Sequence, residues 1–283
     1  MTIMGSASNA VAAGFIANIQ VWTFLDWMVY GLSAFLPIFL ITLWVLPHLV
    51  PTTVNHINMD RLNHEVKKSG SMSITEKEIL GTMAVAIFFW VTGSFIESIL
   101  NLPQTTLSPA IIAITAVSYL SLRGIFSWND VKGVSWGFLF ISGAGLSLGE
   151  TLGRTGVTAW IGTMIAPTIT SLSPFLAILL LVLLSALLTN VMNNATVVAV
   201  FVPILIGIAQ IDPSFNAIQL ALPVALATTF GYSLPSASGR MALVAATGIV
   251  DRKDMLRVGL ILTTISSIML ASFFYVLTLL KWI

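Results

Sequence analysis

Between residues 173 and 210 the chain is almost wholly apolar, yet its middle carries Thr189, Asn190, Asn193, Asn194 and Thr196. Hydroxyl and amide oxygens are hard, neutral ligands suited to a cation such as sodium. A lone asparagine in such a tract most often bonds a neighbouring helix. Three within five residues point to a binding site instead. A second interruption, Leu234-Pro235-Ser236-Ala237-Ser238-Gly239-Arg240-Met241, places small residues, a proline and an arginine between two apolar stretches. Helices broken at membrane depth expose N–H groups that attract anions and carbonyls that ligate cations.

The ionisable residues favour the same chemistry. All eleven acids fall in loops or at the ends of apolar runs, so no carboxylate is predicted at the midplane to relay protons. Arg240 is the one charge expected at membrane depth, where it needs an anionic partner or a wet cavity. A positive group without fixed negative charge points to an anion as cargo. The absence of cysteine excludes thiol nucleophiles, thiolate metal sites and disulfides. His48, His56 and His64 sit at or beyond one apolar segment's end and read as solvated. No nucleophile–base pair marks an enzyme, and no basic run suggests nucleic acid.

Lipid must surround the elements that position these residues. Apolar residues make up 57% of the 283 and charged ones 8%, a ratio that a water-soluble fold of this length has no means to bury. Apolar runs predict a short helix at 9–20 and spans at 27–49, 79–97, 108–122 and 134–149. The 173–210 tract follows, then 216–235, 241–250 and 255–280. Ser73-Ile74-Thr75-Glu76 forms a capping box, and Ser173-Pro174 and Asp212-Pro213 mark helix starts. The tract at 173–210 is too long for one crossing. Read as a hairpin that returns to its own face, it puts loops 51–78, 123–133 and 251–257 on one side with nine of the twelve basic residues, against two opposite. A single crossing puts 251–257 on the opposite side and weakens the split. Positive loops stay cytoplasmic, so the hairpin is expected.

A short internal echo pairs Gly5-Ser6-Ala7-Ser8-Asn9-Ala10 with Ser236-Ala237-Ser238-Gly239-Arg240-Met241-Ala242. One copy precedes a span leaving the outside and the other a span leaving the inside, as inverted repeats do.

These residues resemble the divalent anion/sodium symporter (DASS) family of the ion transporter superfamily, over essentially the whole chain. Val134-Ser135-Trp136-Gly137-Phe138-Leu139-Phe140-Ile141-Ser142-Gly143-Ala144-Gly145 is similar to that family's helix after the central linker. Leu188-Thr189-Asn190-Val191-Met192-Asn193-Asn194-Ala195-Thr196 resembles its second hairpin, where a Ser-Asn-Thr motif binds substrate and sodium. The resemblance implies a sodium site from Thr189, Met192, Asn194 and Ala237, with Gly5 and Asn9 as the first copy's remnant. It gives Asn193, Asn194, Ser238 and Gly239 to the substrate, and Arg240 joins them from its charge. Two departures stand out. Ser238-Gly239-Arg240-Met241 occupies the place of the family's Thr-Pro-Pro-Asn, and Ala195 replaces a threonine near the bound carboxylate. Di- and tricarboxylates and inorganic oxyanions therefore both stay open as cargo.

The expected fold is an all-α polytopic bundle with a re-entrant hairpin and a broken helix, half of an inverted-repeat transporter. Its segments are a first-repeat remnant (1–20), a transmembrane helix (21–50), a cytoplasmic linker (51–78), scaffold helices (79–172), a transport segment (173–250) and a final transmembrane helix (251–283). The resemblance implies a homodimer in the cell inner membrane, coupled to sodium and without another cofactor. The chain begins inside the first repeat's break, so a truncated or split product with a separately encoded N-terminal half is also expected. The alternatives are a non-transporting membrane remnant or accessory subunit, and an arsenite or sodium–proton type carrier.

Overall fold

The computed structural model describes residues 2–20, 22–50, 59, 64, 67, 70–103, 106–133, 136–211 and 215–283. Every regular element among them is helical. Twelve helices can be followed among the described residues: α1 (Ala7–Ala17), α2 (Phe24–Leu49), α3 (Ile74–Ile99), α4 (Pro109–Leu122), α5 (Trp128–Lys132), α6 (Trp136–Arg154), α7 (Val157–Thr170), α8 (Pro174–Val191), α9 (Asn194–Ile211), α10 (Ala217–Ala227), α11 (Gly239–Ala246) and α12 (Arg252–Leu279). Four of them, α2, α3, α8 and α12, are long and apolar enough to cross a membrane.

Local chemistry sets several boundaries. Ser73 caps α3 as its sequence demands. Its hydroxyl accepts from the Glu76 amide at 3.2 Å, and Glu76 accepts from the Ser73 amide at 2.7 Å. The backbone hydrogen bond from Ser73 is the main reason the Glu76 carboxyl titrates below its ordinary range, followed by the side-chain bond. At α5 the Ser127 hydroxyl and then its amide do the same for Asp130. Both caps are present at neutral pH and weaken as acid protonates these carboxyls. Pro174 occupies the first turn of α8 after Ser173.

Two boundaries depart from expectation. The start expected at Asp212-Pro213 lies outside the described residues; α10 begins at Ala217, one residue into the span expected from 216. Asn216 caps it, accepting from Ile218 at 2.9 Å. The run 157–170 is a helix that none of the expected spans covers. With 14 residues it rises only about 21 Å, short of a hydrocarbon core of about 30 Å. Gly156, at φ +76°, makes the left-handed turn between α6 and α7. The span expected at 216–235 ends at Ala227, eight residues early.

The described chain forms two compact units. One comprises residues 23–25 and 51–135. In it the Trp90 indole donates to the Pro109 carbonyl at 3.2 Å, and the Leu107 amide donates to Glu97 at 2.6 Å. Arg123 pairs with Glu78 across α3 and α4. A cavity of about 610 Å³ lies between these helices, lined mainly by apolar side chains such as Val85, Phe89 and Ile112. No residue of either predicted break lines it.

The other unit holds residues 1–22, 26–50 and 136–283, and therefore both breaks. Val11, Ala12, Phe15 and Ile16 of α1 share one buried core with Ala195, Val198, Ala199 and Val202 of α9 and with Leu222, Ala225 and Leu226 of α10. Helix α8 packs on α12 and α10, while α9 packs on α6, α7, α10 and α1. The two helices that flank the first break thus have largely different neighbours.

Candidate functional site

The first break is two residues wide. Helix α8 stops at Val191, Met192 is extended (φ −110°, ψ 161°), and α9 starts at Asn194. Asn193 caps the new helix, its amide oxygen accepting from the Ala195 N–H at 2.9 Å. The Val197 amide turns back to the Asn193 carbonyl at 3.1 Å. The amides of Asn194 and Thr196 have no backbone partner among the described residues. Met192 and Asn193 are exposed, Asn194 is half-buried, and Thr189 is fully enclosed.

The second break is longer than the sequence suggests. From Ala227 the chain tightens into a 3₁₀ turn (Thr228–Phe230), passes Gly231 to Leu234 without regular structure and makes another 3₁₀ turn (Pro235–Ala237). It extends at Ser238 before α11 begins. The hydroxyls of Thr228 and Thr229 donate to the Ala225 and Leu226 carbonyls, each at 2.7 Å, and so satisfy the last turn of α10. Ser238 caps α11, accepting from Met241 at 3.3 Å.

Side chains of α8 tie the two breaks together. Thr189 donates to the Thr228 carbonyl at 3.0 Å and lies in hydrogen-bond contact with the Asn194 amide oxygen. The Asn190 amide oxygen accepts from the Ser233 N–H at 2.9 Å, and its nitrogen donates to Ala186 at 2.8 Å. Gly231 fills the space between them. A Cβ there would stand 2.9 Å from the Ala237 Cβ and 3.2 Å from the Thr189 Cγ2. Thr189 and Ala237, from the two separate interruptions, therefore meet across one glycine.

The first-copy residues repeat this backbone pattern. A 3₁₀ turn (Ile3–Gly5) leads to an extended serine, Ser6, at φ −156° and ψ 146°, and then to α1. Ser238 has φ −162° and ψ 158° between its 3₁₀ turn and α11. The match pairs Ser6 with Ser238, Gly5 with Ala237 and Asn9 with Met241. Asn9 is buried in α1. Its nitrogen donates to the Thr2 carbonyl at 2.9 Å, and its amide oxygen is enclosed with no hydrogen-bond partner among the described residues. Gly5 is exposed.

Arg240 stands in the first turn of α11, exposed, and forms no ion pair among the described residues. Its backbone amide likewise has no partner among them. Thr263 and Gly259 of α12 were not among the candidates, yet they also touch the second break: Thr263 donates to the Phe230 carbonyl at 2.8 Å. Nothing in the spacing of a 28-residue apolar helix marks them.

Comparison with known proteins identifies the family. Residues 1–282 match the sodium:sulfate symporter transmembrane region. An uncharacterized transporter of Haemophilus influenzae is 27% identical over 277 residues, which cover 97% of this chain and 59% of that protein. The sodium-dependent dicarboxylate transporter SdcS of Staphylococcus saprophyticus is 23% identical over 273 residues, covering 90% of this chain and 51% of that one. SdcS of Staphylococcus aureus is 27% identical over 217 residues. The chain thus spans about half the length of the curated relatives it matches. A multi-pass membrane protein of transporter rather than enzyme kind, the chain belongs to the sodium:sulfate symporter (DASS) family.

Proposed function

We propose that this chain carries one ion and anion site of a sodium-coupled anion carrier in the cell inner membrane. The observation that carries the reading is the meeting of the two breaks, with Thr189 and Ala237 packed against the same glycine. Oxygens of Thr189, Met192, Asn194 and Ala237 would hold sodium, and the buried, unpartnered Asn9 oxygen near Gly5 would serve the first-copy site. The anion would lie against Asn193, Asn194, Ser238, Gly239 and Arg240. Unpaired amides at the starts of α9 and α11 supply the partial positive charge that favours it.

In this reading α8 and α9 form the re-entrant hairpin, and the matched turns before α1 and α11 are the relics of an inverted repeat. Segments 5–20 and 173–250 make up the transport portion, the other spans serve as scaffold, and two copies pair in the membrane. The cargo class is a di- or tricarboxylate or an inorganic oxyanion. The relatives named for dicarboxylate favour the first, and Ala195 and Arg240 favour the second by removing a hydroxyl and adding a charge.

Uptake of radiolabelled succinate and of sulfate into proteoliposomes, with sodium or choline outside, tests the proposal. Sodium-dependent accumulation of either anion supports it, and equal uptake in both salts removes it. Arg240→Gln is expected to raise the anion KM about five- to thirtyfold while leaving half-saturation by sodium unchanged, the worth of one charge-assisted contact at about 1–2 kcal/mol. An unchanged KM would make the guanidinium a bystander.

A further inference from the structure

We propose that Gly259 and Thr263 of α12 are positioning residues. They hold the second break against the ion-binding tip and so set sodium affinity without touching the ion. The proposal rests on the sodium site proposed above.

The two residues lie one helical turn apart on one face of α12. A Cβ built on Gly259 would stand 2.5 Å from the Ser233 Cα, 2.6 Å from the Tyr232 carbonyl oxygen and 2.7 Å from the Ser233 nitrogen. All three are backbone atoms, so no side-chain rotation relieves the clash. The glycine is what lets α12 reach the extended segment at van der Waals distance. One turn further on, the Thr263 hydroxyl, itself buried, donates to the Phe230 carbonyl at 2.8 Å.

From the opposite side, α8 grips the same segment. Thr189 takes the Thr228 carbonyl and Asn190 takes the Ser233 amide. Three backbone groups in six residues, at 228, 230 and 233, are thus fixed by side chains from two helices. Because one Thr189 hydroxyl contacts both the Thr228 carbonyl and Asn194, a shift at Phe230 is passed to the tip within a few bonds. Buried backbone groups without such partners would be costly in an apolar surrounding, so the clamp also satisfies what the break exposes.

A valine at 263 keeps the branched shape and deletes the donor, while a serine keeps the donor. In proteoliposomes, Thr263→Val is expected to raise the sodium concentration for half-maximal anion uptake about three- to tenfold, the worth of one buried hydrogen bond. Thr263→Ser should restore it. Gly259→Ala is expected to raise it more than tenfold or abolish uptake.

A second readout needs no transport. The chain has no cysteine, and Ser233 is buried with its hydroxyl unpartnered among the described residues, so Ser233→Cys places a single enclosed thiol inside the clamp. Its rate of modification by a small thiosulfonate should rise at least threefold in the Thr263→Val background and stay low with Thr263→Ser. Loss of sodium-dependent uptake in the parent chain, with this labelling pattern intact, would count against the transport reading while supporting the clamp. Equal labelling in all three backgrounds, or a sodium half-saturation that valine leaves unchanged, overturns the positioning role.

Discussion

Asn194→Ala is expected to reduce sodium-dependent anion uptake at least tenfold in a protein that still folds. Asn194 is half-buried at the first position of α9, so truncating it opens no large cavity. Thr189 loses one contact but keeps the Thr228 carbonyl, and the cap on α9 comes from Asn193 rather than from Asn194 itself. The midpoint of thermal unfolding in detergent should therefore move little. What disappears is a neutral oxygen at the place where the proposed sodium and anion sites adjoin. Asn194→Asp sharpens the expectation. A carboxylate there keeps an oxygen for the cation but repels the anion, so the anion KM should rise far more than the sodium half-saturation. Uptake by Asn194→Ala at the parent rate would remove this residue from the site.

Gly231→Ala is expected to be the most disruptive methyl group that can be added to the second break. Its backbone, at φ −69° and ψ 80°, does not demand glycine. Only the neighbours exclude a side chain. The new Cβ would press on Ala237 at 2.9 Å and on Thr189 at 3.2 Å, so one break must move away from the other. Overpacking of this kind costs about 1–3 kcal/mol. Ala237→Gly removes the closest atom, so the pair Gly231→Ala with Ala237→Gly should regain about half of the lost stability or more. Residues in contact couple this way and distant ones do not. Strictly additive effects in the double-mutant cycle would mean that Gly231 and Ala237 do not pack against one another within the second break.

Asn190 shows how site and fold overlap. The sequence groups it with the other polar residues of the apolar tract, and the structure uses it to hold the Ser233 amide. Asn190→Leu leaves that buried N–H unsatisfied, at about 1–3 kcal/mol, so lower stability should accompany any loss of transport. Asn194→Ala, by contrast, should show loss of transport alone.

The residues by themselves determined the solvent, the helical class and the break inside the 173–210 tract. Each of these depends on local terms. A low fraction of charge has no aqueous solution at this length, a capping box such as Ser73 to Glu76 closes on itself, and asparagines in an apolar tract break it where they stand. Other features were beyond local reach. The early end of α10 at Ala227 is held by Thr189, Asn190 and Thr263, which lie 33 to 43 residues away from the groups they bind. Helix α7, with 14 apolar residues, is too short to stand out along the chain as a membrane span. Gly231 and Gly259 read along the chain only as weak helix formers. Their significance is the closeness of another backbone or side chain, and that distance exists only once α8, α10 and α12 have packed.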